Sequence, residues 1–234
     1  MELIDIVISL LALIVLEIIL GIDNLVFLSI LTEKLPKAQR KRARQWGLSF
    51  AWVTRLMLLA SAVLLIKLSH PLFSLGGFSF SIRDIFLFIG GMFLIGKATQ
   101  EIHDEVEKDP ILLSEHSVRV ATFKAVVMQV ALMDVIFSLD SVLTAIGLTS
   151  HFWVMALAIT IAIGVMIYAS EAVSRCIEKH PTLKMLALSF LILIGMVLVA
   201  DSFAFHVPRG YIYFAMGFSL AVEALNIIKR HQRK

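Results

Sequence analysis

The chain has 234 residues, 59% of them hydrophobic and 17% charged, with a mean hydropathy of +0.90. Soluble domains average about 45–50% apolar and about 25% charged, so this composition excludes an ordinary water-soluble enzyme or binding module and points to a single polytopic domain in a lipid bilayer. The net charge of +3 does not argue for a nucleic-acid partner, because the basic residues sit mainly between apolar runs, where they report topology.

A helix needs about 20 apolar residues to cross the hydrocarbon core. In chain order, spans are predicted at 6–31, 46–66, 84–101, 121–148, 153–173, 184–203 and 211–228. The expected fold is an all-α membrane protein with seven transmembrane helices. The first apolar run lacks a basic flank and is too long for a signal-peptide core, so no cleavable leader is expected. The first and fourth spans are long enough to tilt or break. The third is the shortest. It runs into a charged stretch from Glu101, His103 and Asp104 to Glu115 and His116, which reads as a solvated extension rather than a cation-collecting vestibule. The lone Cys176 cannot form an internal disulfide.

Basic residues give a direction. Sixteen of them, from Lys34 to Lys234, fall in the 1–2, 3–4 and 5–6 loops and the C-terminal tail, against Lys67, Arg83 and Arg209 on the other side. The N-terminus is expected outside and the C-terminus in the cytoplasm, which an odd number of spans satisfies.

Two spans carry acids at matching places. The first reads Glu17-Ile-Ile-Leu-Gly-Ile-Asp23-Asn24, and 117 residues later the fourth reads Asp134-Val-Ile-Phe-Ser-Leu-Asp140-Ser141. One ionised group at the bilayer centre costs roughly 2.5–3.5 kcal/mol on insertion scales, so four acids repeated in this way mark a site. Three spans separate the two motifs, so the second enters the membrane in the opposite direction. That is the pattern of an inverted 3+3 repeat, with repeat one at 1–105, repeat two at 118–205 and an extra C-terminal helix at 210–228. Gly91-Met92-Phe93-Leu94 and Gly195-Met196-Val197-Leu198 in spans three and six support the repeat weakly.

On a regular helix Glu17 and Asn24 share a face, while Asp23 points off it by about 120°. The same holds for Asp134, Ser141 and Asp140. Either spans one and four unwind near Gly21 and Ser138, or only one acid of each pair touches a ligand at a time. Asp, Glu, Asn and Ser offer only oxygen, which suits Mn²⁺, Mg²⁺ or Ca²⁺. Carboxylates packed together repel, so some carry a proton in the absence of a cation, and metal binding should release protons. Arg55, the other charge deep in a span, is expected to pair with these acids as a resident counter-ion, since an unpaired Arg there is costly. Lys97, Glu101, Glu223 and Asn226 lie nearer span ends and read as interfacial anchors or as lining of the cytoplasmic entrance.

The strings Glu17-x5-Asp23-Asn24, Arg55, Gly90-Gly91-Met92-Phe93-Leu94-Ile95-Gly96-Lys97-Ala98-Thr99-Gln100-Glu101-Ile102-His103, Asp134-x5-Asp140-Ser141, and Gly210-Tyr211-Ile212-Tyr213-Phe214-Ala215-Met216 leading to Glu223 and Asn226 together resemble the TerC family of integral membrane proteins, within the LysE-like transporters. The resemblance covers essentially the whole chain, and the short form is similar to a small bacterial branch without extra domains. It implies a manganese exporter of the cytoplasmic (inner) membrane, with family links to manganese homeostasis, metal supply to exported proteins and tellurite resistance. The residues alone give only a divalent-cation site of oxygen ligands between inverted halves, with no catalytic residue or bound cofactor expected; with the resemblance, the expectation is a divalent-cation transporter. The competing expectation is a non-transporting component of a stress or tellurite-resistance complex, whose acids hold helices together. An intramembrane aspartyl hydrolase fits poorly, because a dyad needs two acids and not two pairs. Oligomeric state is not legible.

Overall fold

The computed structural model describes residues 2–61, 71–75, 78–107, 122–148 and 151–231. Among them are seven helices: α1 (Glu2–Glu33), α2 (Lys37–Ala60), α3 (Ile82–Val106), α4 (Phe123–Leu148), α5 (Phe152–Lys179), α6 (Pro181–Ser202) and α7 (Arg209–His231). Five are long and apolar enough to cross a membrane, over Ile4–Glu33, Ile82–Val106, Phe152–Lys179, Pro181–Ser202 and Gly210–Lys229. The end of the expected second span, 62–66, and the 3–4 segment at 108–121, with Asp109, Glu115 and His116, lie outside the described residues.

One element departs from the all-helical expectation. A short hairpin, β1 (Pro71–Leu75) and β2 (Phe78–Ser81), forms a two-stranded sheet ahead of α3. It hands over to the helix through a capping box: the Ser81 hydroxyl accepts from the Asp84 backbone N–H at 3.2 Å, and the Asp84 carboxylate accepts from the Ser81 N–H at 2.8 Å. Two otherwise orphan donors are thereby satisfied.

The helices fall into two compact units. One is built from α1, α2, α4 and α5. The other contains most of the hairpin, α3, α6 and α7. Helices that hold equivalent places in the expected repeat thus fall in the same unit: α1 with α4, α2 with α5, and α3 with α6.

In the first unit, α1 turns apolar side chains outward and its mid-helix acid Glu17 inward. α1 exposes Ile4, Ile8, Leu11, Val15, Ile19 and Ile22, and buries Leu13, Glu17, Leu25 and Leu28. This is the polarity expected when the surroundings are lipid, where an ionisable group must face the protein interior. α2 buries Arg44, Leu48, Ala51, Arg55 and Leu59 on one stripe, and α4 buries Val126, Val130, Asp134, Ser138 and Val142 on another. Gly47 sits where the three helices close together. A Cβ there would lie 3.0 Å from Val130 Cγ1 and 3.2 Å from Leu28 Cδ1.

The connection from α1 to α2 is much tighter than the expected loop. Pro36 caps α2 with φ −53° and ψ 139°, and the basic run from Lys37 to Arg44 forms the first turns of the helix. Arg40 folds back to donate to the carbonyls of Glu33 (2.7 Å) and Leu35 (2.9 Å), placing a cation on the partly negative C-terminal end of α1. Hydropathy ends a span where charge begins, but backbone hydrogen bonding carries the helix onward.

In the second unit, α3 and α6 cross at two glycines. A Cβ on Gly91 would stand 2.6 Å from the carbonyl oxygen of Gly195, and one on Gly195 would stand 2.9 Å from that of Gly91. Small residues at such crossings let helix backbones touch where lipid supplies no hydrophobic drive. Lys184 on α6 pairs with Glu105 on α3 at 2.8 Å. Phe203, past the end of α6, stacks edge-on with Phe80 and Phe88 at centroid distances of 5.9 and 5.8 Å.

Candidate polar site in the first unit

The inward stripes of α1, α2 and α4 meet at Arg55. Its Nη1 donates to Glu17 Oε2 at 2.6 Å. Its Nη2 and Nε donate to Asp134 Oδ1 at 2.8 and 3.2 Å. Arg55, Glu17 and Asp134 are 2%, 1% and 3% exposed. With both carboxylates ionised, this trio keeps one negative charge in excess.

Asn24 and two hydroxyls complete the cluster. Asn24 Nδ2 donates to Asp134 Oδ1 at 3.4 Å. On the other oxygen, Oδ2, Thr54 Oγ1 lies at 3.3 Å and Ser138 Oγ at 3.0 Å. Ser138 also back-bonds to the Asp134 carbonyl. Among the described residues, two acceptors of the cluster are buried without a donor: Glu17 Oε1 and Asn24 Oδ1. Such orphans are rare in folded proteins, because each forgoes a solvation it had in water.

The helices carrying the motifs do not break. α1 runs as α-helix through Gly21, and α4 runs through Ser138, so local unwinding does not reconcile the six-residue spacing. Gly21 has a different use. A Cβ there would collide with the Met166 thioether on α5, so the glycine makes room for a packed side chain.

Not all the expected ligands gather. Glu17, Asn24 and Asp134 do, around Arg55. Asp23 is half-buried on α1, one residue off the inward stripe, and its carboxylate has no hydrogen-bond or ion-pair partner among the described residues. Asp140 lies on α4, and its side chain is outside those described. Ser141 is buried but spends its hydroxyl on the Ser138 carbonyl at 3.3 Å. Among the described residues, no three His, Cys, Asp or Glu side chains form a cluster able to hold a metal ion.

Lys97, Glu101, Glu223 and Asn226 belong to the other unit. Lys97 pairs with Glu101 at 3.0 Å along α3. Glu223 on α7 accepts from Thr182 on α6, and from Asn226 at 3.4 Å. It borders a groove of about 420 Å³ whose apolar walls include Met185, Leu186 and Phe218.

Sequence reasoning missed Thr54, and named Ser138 only as a possible break in span four. A usable signal existed for Ser138, which is one helical turn beyond Asp134, at the i, i+4 spacing that puts side chains side by side; adjacency to Arg55 gave none for Thr54, because neighbouring residues on a helix do not face each other.

Comparison with known proteins agrees with a membrane setting for the chain. Over 214 residues the chain is 51% identical to the UPF0053 inner membrane protein YgdQ of Escherichia coli (strain K12), covering 92% of this chain and 89% of that one. It is 48% identical over 227 residues to a UPF0053 protein of Haemophilus influenzae, covering 97% and 95%. The UPF0053 inner membrane protein YoaE of Escherichia coli (strain K12) is 48% identical over 222 residues, 95% of this chain but only 43% of that longer one. No solved structure matches significantly. The model of the integral membrane protein TerC family matches residues 3–234, and with five helices apolar enough to span a bilayer, the chain belongs to the TerC family of integral membrane proteins.

Proposed function

We propose that the protein is a divalent-cation transporter of the inner membrane, with Mn²⁺ as cargo and export as direction. The observation that carries this reading is the cluster at Arg55. Two buried carboxylates from α1 and α4 share one guanidinium, while Glu17 Oε1 and Asn24 Oδ1 face no donor among the described residues. A site that holds a cation of its own and still has bare oxygens suits a second, exchangeable cation.

In this mechanism Arg55 is the resident counter-ion of the empty site. An arriving Mn²⁺ takes the bare oxygens of Glu17 and Asn24 and displaces the guanidinium, which returns when the ion leaves. Oxygen donors fit Mg²⁺ and Ca²⁺ as well; the choice of manganese rests on the family resemblance. Asp23 and Asp140 then serve as a second station along the path, so that each pair offers one acid at a time. The close glycine crossing of α3 and α6 and the grouping of repeat-equivalent helices support an inverted repeat. The excess of basic residues between Lys34 and Arg44 and from Arg175 to Lys184 supports an outside N-terminus and a cytoplasmic C-terminus.

One observation favours a second reading. Arg55 is engaged by both acids, so the trio could simply fasten α1, α2 and α4 together in a non-transporting stress-resistance component. Cellular manganese content separates the two. In a strain without other manganese exporters, loss of the protein should raise intracellular manganese under manganese load. The wild type should restore the level, and well-expressed Glu17→Gln should not. Full restoration by Glu17→Gln would favour the scaffold.

A further inference from the structure

We propose that Thr54 and Ser138 are positioning residues for Asp134, holding its carboxylate in place while Arg55 moves away. This rests on the cation-exchange reading of the site. The two carboxylates around Arg55 are not equivalent. Glu17 has one oxygen on Arg55 and one with no donor among the described residues. Asp134 has donors on both: Arg55 and Asn24 on Oδ1, and the Thr54 and Ser138 hydroxyls on Oδ2. Glu17 is the acid free to take a new partner, and Asp134 is the fixed pole.

The hydroxyls are suited to that task because each has an alternative acceptor. Thr54 Oγ1 also lies 2.9 Å from the Ala51 carbonyl and 3.1 Å from that of Phe50, and Ser138 Oγ also reaches the Asp134 carbonyl. A hydroxyl has one proton to donate. While Arg55 neutralises Asp134, that proton is shared between the helix's own backbone and Oδ2. When Arg55 leaves Oδ1, rotation about one bond turns it onto Oδ2. Asp134 Oδ2 thus keeps its donors while Oδ1 exchanges the guanidinium for the incoming cation, and a carboxylate left without donors in a dry interior is costly. Without the hydroxyls, Asp134 would follow the guanidinium or lose its place. Thr54 is on α2 and Ser138 on α4, so the carboxylate is held from two helices.

The test uses full-length protein bearing Thr54→Val, Ser138→Ala or Thr54→Ser. Reconstituted in liposomes, the first two should raise the half-saturating Mn²⁺ concentration about tenfold, the scale of one hydrogen bond to a charged group, and Thr54→Ser should stay near wild type. In metal-free protein with ¹³C-labelled aspartate, the infrared carboxylate stretch should shift in Thr54→Val and Ser138→Ala but not in Thr54→Ser. An unshifted band and unchanged half-saturation in both would overturn the proposal. So would Thr54→Ser matching Thr54→Val, which would implicate the methyl rather than the hydroxyl. If the wild type moves no Mn²⁺, the transport reading fails, and the infrared comparison still decides whether the hydroxyls hold Asp134.

Discussion

Arg55 Nη1 lies 2.6 Å from Glu17 Oε2, and neither side chain is more than 2% exposed. The same guanidinium reaches Asp134 at 2.8 Å, so one cation on α2 bridges an acid on α1 and an acid on α4. Arginine suits this geometry because its planar fork presents several donors in different directions at once, while a lysine ammonium acts as a point charge. Three polar stripes that would each be costly in lipid become affordable only by meeting.

Removing the bridge should therefore cost stability in a way that added metal repairs. Arg55→Ala leaves two carboxylates buried without their cation, a loss of about 3–5 kcal/mol for a broken buried pair. In detergent without metal, its melting temperature should fall well below wild type. Added Mn²⁺ should restore part of the difference by replacing the missing charge, with a larger upward shift than in wild type. Arg55→Lys should lie between the two. A melting temperature of Arg55→Ala that ignores Mn²⁺ would point to a purely structural trio.

The glycines divide by what surrounds them. At Gly91 a Cβ would meet backbone atoms, the Gly195 carbonyl at 2.6 Å and the Val199 N–H at 3.0 Å, which cannot yield without moving a helix. Gly91→Ala should destabilise by about 1–3 kcal/mol, the usual range for overpacking. At Gly21 the obstacle is the end of Met166, a flexible side chain, and alanine gains up to about 1 kcal/mol of helix propensity. Gly21→Ala should be close to neutral. Thermal melts of the two variants in the same detergent check the contrast, and a reversed order would contradict the crossing.

Much of this was legible in the chain itself. The acids' depth and spacing single out α1 and α4, and the cost of a lone Arg in lipid picks Arg55 as their partner. The break at Gly21 was the wrong solution to the spacing. Backbone groups in a bilayer have no water to fall back on, so an intact helix with Asp23 turned off the inward stripe is the easier arrangement. Thr54 escaped notice because hydroxyls in apolar helices commonly bond to their own backbone; only the approach of α2 to α4 gives it the Asp134 carboxylate as a further acceptor. The hairpin at Pro71–Ser81 is too short for a periodicity to announce it. Helix ends such as Lys37 and Lys179 were missed because hydropathy measures where lipid is, not where the helix stops.

Metal binding should release protons. Carboxylate ligands must be ionised to hold a cation, and two acids with one arginine can accommodate a proton when no metal is present. The apparent Mn²⁺ affinity of purified protein should weaken as pH falls, and a lightly buffered solution should acidify when Mn²⁺ is added. Glu17→Gln should diminish the proton signal along with the binding. Affinity independent of pH between about 5 and 8 would remove proton exchange from the mechanism.

Orientation can be read from a single atom. Cys176 is the only cysteine in the chain and is exposed. It lies near the C-terminal end of α5, beside Arg175 and shortly before Lys179, in a basic region that the proposed topology puts on the cytoplasmic side. A membrane-impermeant maleimide should leave intact spheroplasts unlabelled at this position and label inverted membrane vesicles readily, with Cys176→Ser as the blank. Lys41 and Glu171 form an ion pair at 3.4 Å with both side chains largely exposed, so the basic start of α2 and the end of α5 share one face of the first unit. The label therefore reports on the α1–α2 connection as well. Labelling in spheroplasts but not in inverted vesicles would reverse the topology, and with it the side from which Glu17 meets its cation.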